Sequence, residues 1–135
     1  MKSTDIFNAA TFEIFYLCLE EFPSEVRLDP NIIARKVEGY FGDPTGDLEA
    51  YNHVVSIAEK SGDTINWLAH EGYIRLEHEY LSEPSTYVLT PKGLQAANVK
   101  IDSLENKPTF IEIIKGGIKH ITLASMPLVI SAMLK

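Results

Sequence analysis

The chain has 135 residues, 45% hydrophobic and 23% charged, with a formal net charge of −7. This length suits one domain, and the apolar fraction can fill a packed core and excludes a disordered composition. One cysteine excludes an internal disulfide and, with no signal pattern after Met1, points to a cytoplasmic protein; no apolar run reaches the roughly 18 to 20 residues of a membrane span.

Ser3 or Thr4 can cap a first helix that runs to about Glu21. Phe7, Ala10, Ile14, Leu17 and Cys18 recur at helical spacing, and Phe12, Phe15 and Leu19 widen the stripe. So broad a stripe predicts burial on more than one side. Pro23 ends the helix, and Val26 and Leu28 suit a short strand. Asp29-Pro30 is a cap followed by proline at the first helical position. The helix it opens has Ile32, Ile33, Val37 and Tyr40 on its face, with Arg35 and Lys36 outside or at its edge.

Gly42 to Gly46 is a breaker, and Asp47 opens another helix with Leu48, Tyr51, Val55 and Ala58 in phase. A merger with the helix that follows is the alternative, but Ser61-Gly62-Asp63 argues for a break there, with Asp63 capping a separate short helix that presents Ile65, Leu68 and Ala69 on one face. Gly72 ends it. From Tyr73 the period changes to two: Ile74, Leu76 and His78 alternate with Arg75, Glu77 and Glu79. A turn over Leu81–Ser85 then joins Tyr73–Tyr80 to Thr86–Thr90 in a hairpin, and Thr90-Pro91 caps and starts the next helix.

The strings TINWLAHEGYIR, from Thr64, and YVLTPKGLQAAN, from Tyr87, resemble the recognition helix, wing and closing helix of winged helix-turn-helix domains. Many bacterial regulators of that family end the unit with a similar L-T-x-K-G step. The likeness covers about Asp63 to Asn98. It implies a mainly α fold, a three-helix core with a small antiparallel β-hairpin as the wing, and most often DNA binding in transcription regulation. The helix after Asp63 would enter the major groove. Thr64, Asn66, Trp67 and His70 would be its contacts, with Arg75 and Lys92 on phosphate. Asp47–Lys60 adds a helix where the family has a short turn.

Charge placement opens a rival reading. Residues 1–60 hold 5 Lys+Arg against 11 Asp+Glu, residues 61–99 hold 2 against 5, and residues 100–135 hold 5 against 3. DNA affinity comes largely from neutralised phosphates, so the unit suits an acidic protein–protein interaction module as an alternative to double-stranded DNA. Trp67 lies off the Ile65–Leu68–Ala69 face. It reads either as a partner or base contact or as a cover on the Asp47–Lys60 helix.

Catalytic and metal signatures are weak. Cys18 sits in the apolar stripe and reads as a buried inert thiol. His70-Glu71 and His78-Glu79 lack the two-histidine helical spacing of zinc hydrolases, and Gly116-Gly117 lacks the strand–turn–helix setting of a phosphate loop. A non-enzymatic protein is therefore expected, and no cofactor or metal is implied.

The domain plan is a winged-helix domain over 1–99, a polar linker over 100–107 and an apolar C-terminal helix over 108–135. Phe110, Ile113, Ile114, Ile118, Ile121 and Leu128 recur at helical spacing, Gly117, Ala124 and Ser131 form a small-residue stripe, and Pro127 should kink or interrupt the helix. A helical Phe110–Leu134 with its apolar face buried predicts a homodimer through Phe110, Ile114, Gly117, Ile118, Ile121 and Leu128. Packing on its own domain, docking a separate partner, or lying on a membrane surface with Lys115 and Lys119 are the other uses of such a face.

Overall fold

A computed structural model describes residues 3–40, 47–116, 122 and 124–135, with the backbone alone described for residues 47–52. The elements are α1 (Ser3–Glu21), β1 (Val26–Arg27), α2 (Pro30–Glu38), α3 (Asp47–His70), β2 (Ile74–His78), β3 (Thr86–Leu89), α4 (Pro91–Ala97), α5 (Phe110–Lys115) and α6 (Met126–Met133). The fold is mainly α, with one small antiparallel sheet.

α1 lies at the centre. Every residue from Ala9 to Phe15 is buried, as is Cys18, so the broad stripe is in contact on several sides. α2, α3, α6 and the sheet all pack on it. Asp29 accepts a hydrogen bond from the Asn31 amide at 2.9 Å and caps α2, with Pro30 in its first turn.

α3 corrects the expected break. It is one 24-residue helix running through Ser61-Gly62-Asp63, so Asp63 caps nothing and no extra helix separates the pair. Ile57, Ser61, Thr64, Ile65 and Leu68 are all buried, a stripe at i, i+4, i+7, i+8 and i+11 that stays in phase across Gly62. Burial of that stripe outweighs the roughly 1 kcal/mol that glycine costs in a helix. Ile57 takes the buried position, and Val55 is 40% exposed.

The sheet order is β1-β3-β2, both pairs antiparallel. β3 is central and all four of its residues are buried. β2 is an edge strand on which only Ile74 is buried, so Leu76 and His78, which alternation puts on one face with Ile74, do not share its burial. A register shift between Leu76 and His78 turns the strand end outward.

The segment after α4 is a closed loop, not an extended tether. Lys100 bridges Thr109, the Ile101 amide donates to the Pro108 carbonyl at 2.8 Å, and Ile101 is fully buried. Among the described residues the tail forms two short helices instead of one. Thr109 caps α5 by accepting from the Glu112 amide. Pro127 stands in the first turn of α6, so it starts a helix and kinks none. Phe110, Met126, Val129, Ile130 and Met133 join the core formed by α1. Leu128, expected on the buried face, is 42% exposed, and Ile113 and Ile114 are half-buried. Gly42–Gly46, the side chains of Leu48 and Tyr51, and Gly117, Ile118, Lys119 and Ile121 lie outside the described residues.

Candidate contact face

The exposed edge of α3 is a ridge of Glu59, Asp63, Asn66 and His70, at i, i+4, i+7 and i+11. Two carboxylates, an amide and an imidazole therefore occupy the line most open to a partner. Among the described residues neither Glu59 nor Asp63 takes part in an ion pair. Lys60 flanks the ridge on the side where Trp67 lies.

The six expected contact residues separate. Thr64 is 3% exposed and its hydroxyl donates to the Lys60 carbonyl at 2.7 Å. It faces the core and cannot touch a partner. Asn66 and His70 are exposed. Trp67 is 40% exposed and packs edge-on against Phe7 of α1 at 5.2 Å, stacking on Tyr73 at 6.3 Å. It shares α3 with Asp47–Lys60, so it does not cover that stretch; it closes the seam between α1 and the start of β2 while keeping one edge in solvent.

Arg75 and Lys92 are engaged within the chain. Arg75 reaches Glu77 at 2.7 Å, with the arginine side chain 63% exposed. The Lys92 ammonium donates to the Glu71 carbonyl at 2.8 Å and lies 4.4 Å above the Tyr73 ring. It thereby satisfies a carbonyl at the end of α3. Lys92 belongs to a small staple. The Thr90 hydroxyl donates to the carbonyls of Gly72 and Tyr73 and accepts from the Gly93 amide at 3.1 Å. The L-T-x-K-G step is thus a device that locks α4 onto the turn after α3.

Beside the ridge lies a cleft of about 220 Å³ between α3 and the hairpin turn. Leu28, Ile65 and Tyr87 line it with Pro30 and Pro84, and Gly62 and Asn66 stand at its α3 side. At the turn end of the hairpin, Glu25 accepts from the Thr86 hydroxyl at 2.6 Å and pairs with His78 Nδ1 at 2.7 Å. The Thr86 hydrogen bond, then His78, hold the Glu25 carboxyl below its ordinary range. Arg27 meets Glu83 at 3.2 Å and lies over the Tyr80 ring. These contacts tie the hairpin to β1 and the segment before it.

Burial pushes the Cys18 thiol up to about 12, so it stays protonated and unreactive. No three His, Cys, Asp or Glu side chains converge to hold a metal ion among the described residues, and no helix there is long and apolar enough to cross a membrane. Sequence reasoning missed the acidic ridge because Asp63 reads locally as a cap. The signal was present in the i, i+4 spacing of Glu59 and Asp63 once the two helices are read as one. Comparison of the chain with protein-family models, curated proteins and solved structures returns no match.

Proposed function

We propose that the chain is a non-enzymatic winged helix-turn-helix regulator module, cytoplasmic, whose contact face takes protein. The winged-helix reading is supported by the order α1-β1-α2-α3-β2-β3 and by a sheet in which β1 and β2 flank β3. The observation that carries the choice of partner is the pair Glu59 and Asp63 on the exposed ridge of α3. In a winged helix that ridge meets the ligand, and in a DNA groove two carboxylates would face phosphates. The two cations of the reading unit do not compensate, since Arg75 pairs with Glu77 and Lys92 serves the Glu71 carbonyl.

DNA is the second reading. Asn66 and His70 are exposed on the same ridge, and Arg35 and Lys36 are exposed on α2. Asn can read adenine in the major groove. A homodimer belongs to either reading. Met126, Val129, Ile130 and Met133 of α6 are buried within the chain, which leaves Leu128 of that helix and Val99, 42% and 38% exposed beside a shallow cleft over α6, as the tail's apolar contact.

The test is a selection from random duplex DNA at about 50 mM salt, followed by titration of any enriched duplex up to about 200 mM. The protein reading expects no enriched motif. An enriched motif whose affinity falls steeply with salt, and falls again in Asn66→Ala, would establish DNA binding instead.

A further inference from the structure

We infer that the cleft between α3 and the hairpin turn seats one apolar side chain of a basic, extended segment in a protein partner, with a lysine or arginine of that segment on Glu59 and Asp63. The inference rests on the protein reading above and names the partner's chemistry.

The cleft is preformed. Its floor side chains Leu28, Ile65 and Tyr87 are 2%, 3% and 8% exposed and belong to the core. The Leu28 amide donates to the Ser85 carbonyl at 3.1 Å, which fixes the hairpin turn against the start of α2. Pro30 and Pro84 form rigid walls, so little side-chain order is lost when the cleft fills. The space, about 220 Å³ and open on one side, suits a single aliphatic side chain and is too small for a folded element. Gly62 keeps the α3 wall low, since it has no side chain to close the mouth.

Charge sets the occupant. Asn66 stands at the rim of the cleft, and Asp63 and Glu59 follow along the same edge of α3. The chain carries −7 overall, so a cationic segment is steered toward this face and an acidic one repelled. Along α3, Asp63 lies about 4.5 Å and Glu59 about 10.5 Å from Asn66 at the cleft rim. An extended segment advances roughly 3.3 Å per residue and alternates sides. An apolar residue in the cleft and a Lys or Arg two positions away therefore meet both features. The Asn66 amide can bond the segment's backbone between them.

The experiment is selection of a displayed random peptide library on the full chain at about 50 mM salt, with the enriched peptides then measured by fluorescence anisotropy. Enriched peptides should share an aliphatic residue with Lys or Arg two positions away. Gly62→Leu should weaken them by roughly tenfold or more, because its side chain plugs the cleft. It should leave the fold intact, since a Cβ there would stand 3.7 Å from Pro30 Cγ, in ordinary contact; unchanged helicity and melting temperature check this. Asp63→Lys, at an exposed position, should weaken the same peptides comparably and remove most of their salt dependence. Peptides without basic residues, or basic peptides that bind Gly62→Leu as tightly as the parent chain, overturn the cleft assignment and leave the protein reading standing. No enriched peptide, together with an enriched duplex, overturns both.

Discussion

A Cβ on Gly93 would stand 2.1 Å from the Tyr73 carbonyl oxygen and 2.7 Å from Leu89 Cδ2. The glycine of the L-T-x-K-G step is there because backbone enters its space, and no rotamer relieves that clash. Gly93→Ala should destabilise the chain by about 1 to 3 kcal/mol, seen as a lower urea midpoint, whereas Gly62→Ala should not. Glu13 makes a different argument. It is 5% exposed and accepts from the Tyr40 hydroxyl at 2.8 Å. Burial raises its carboxyl above the ordinary 4.5, with the Tyr40 hydrogen bond and Lys36 pulling the other way. The folded chain therefore keeps a proton that the unfolded chain releases. That contribution is complete below 4.5 and is lost as pH rises through the folded-state value. Glu13→Gln keeps an acceptor for Tyr40 and removes the titration. Its urea midpoint should pull ahead of the parent's as pH rises above 4.5; a gap that does not change with pH would refute the assignment. Caps such as Asp29 and Thr90 were legible in sequence because their partners lie two or three residues away. The roles of Thr64 and Lys92 were not, because they depend on which side of α3 faces the core and on a turn 21 residues distant.

Among the elements, α3 decides the face. Local chemistry at Ser61-Gly62-Asp63 favours a break, yet the buried stripe from Ile57 to Leu68 runs through it. Local signals describe one turn of helix, whereas the stripe is a property of three, and the longer pattern prevails. Gly62 is ordinary helix, and a methyl added there would meet only Pro30 carbons within 4 Å. Gly62→Ala should therefore stabilise the chain by about 0.5 to 1 kcal/mol, measurable in the same urea titration. The hairpin was legible from its period-two pattern and its turn. Its exposure was not, because alternation assumes two distinct faces, and an edge strand with a register shift is open on both. For the contact face itself, Asn66 and His70 were legible as exposed positions. The acidic ridge emerged only when one helix replaced two.

At the scale of the whole molecule, α6 returns to α1 and closes the core. Phe110 sits edge-on to Phe12 at 4.9 Å and to Phe15 at 6.0 Å, and Met126, Val129, Ile130 and Met133 are at most 2% exposed. Removing residues 108–135 uncovers these contacts, a loss on the order of the entire stability of a domain. The truncated chain should be unfolded or aggregated by circular dichroism and light scattering; a folded, soluble product would contradict the packing. Leu128→Asp separates this from pairing. It should leave the fold intact and convert a dimer, if one forms at Leu128, into monomers by light scattering. Of the tail residues expected on the buried face, Phe110 is buried, Ile113 and Ile114 are half-buried and Leu128 is exposed. The spacing assumed one helix, so Met126, Val129, Ile130 and Met133 were not legible, and an apolar face does not record whose surface covers it. The pairing of the first helix with the last also sets an order of events in synthesis. α1 is made before α2, α3 and the sheet that cover part of it, and the side of Phe12 and Phe15 that meets Phe110 stays uncovered until the tail has been made. Contacts of such long sequence separation form late. The last apolar side of α1 is thus closed only when the C-terminal part of the chain folds back, so a chain caught before that point presents apolar surface that the finished fold hides.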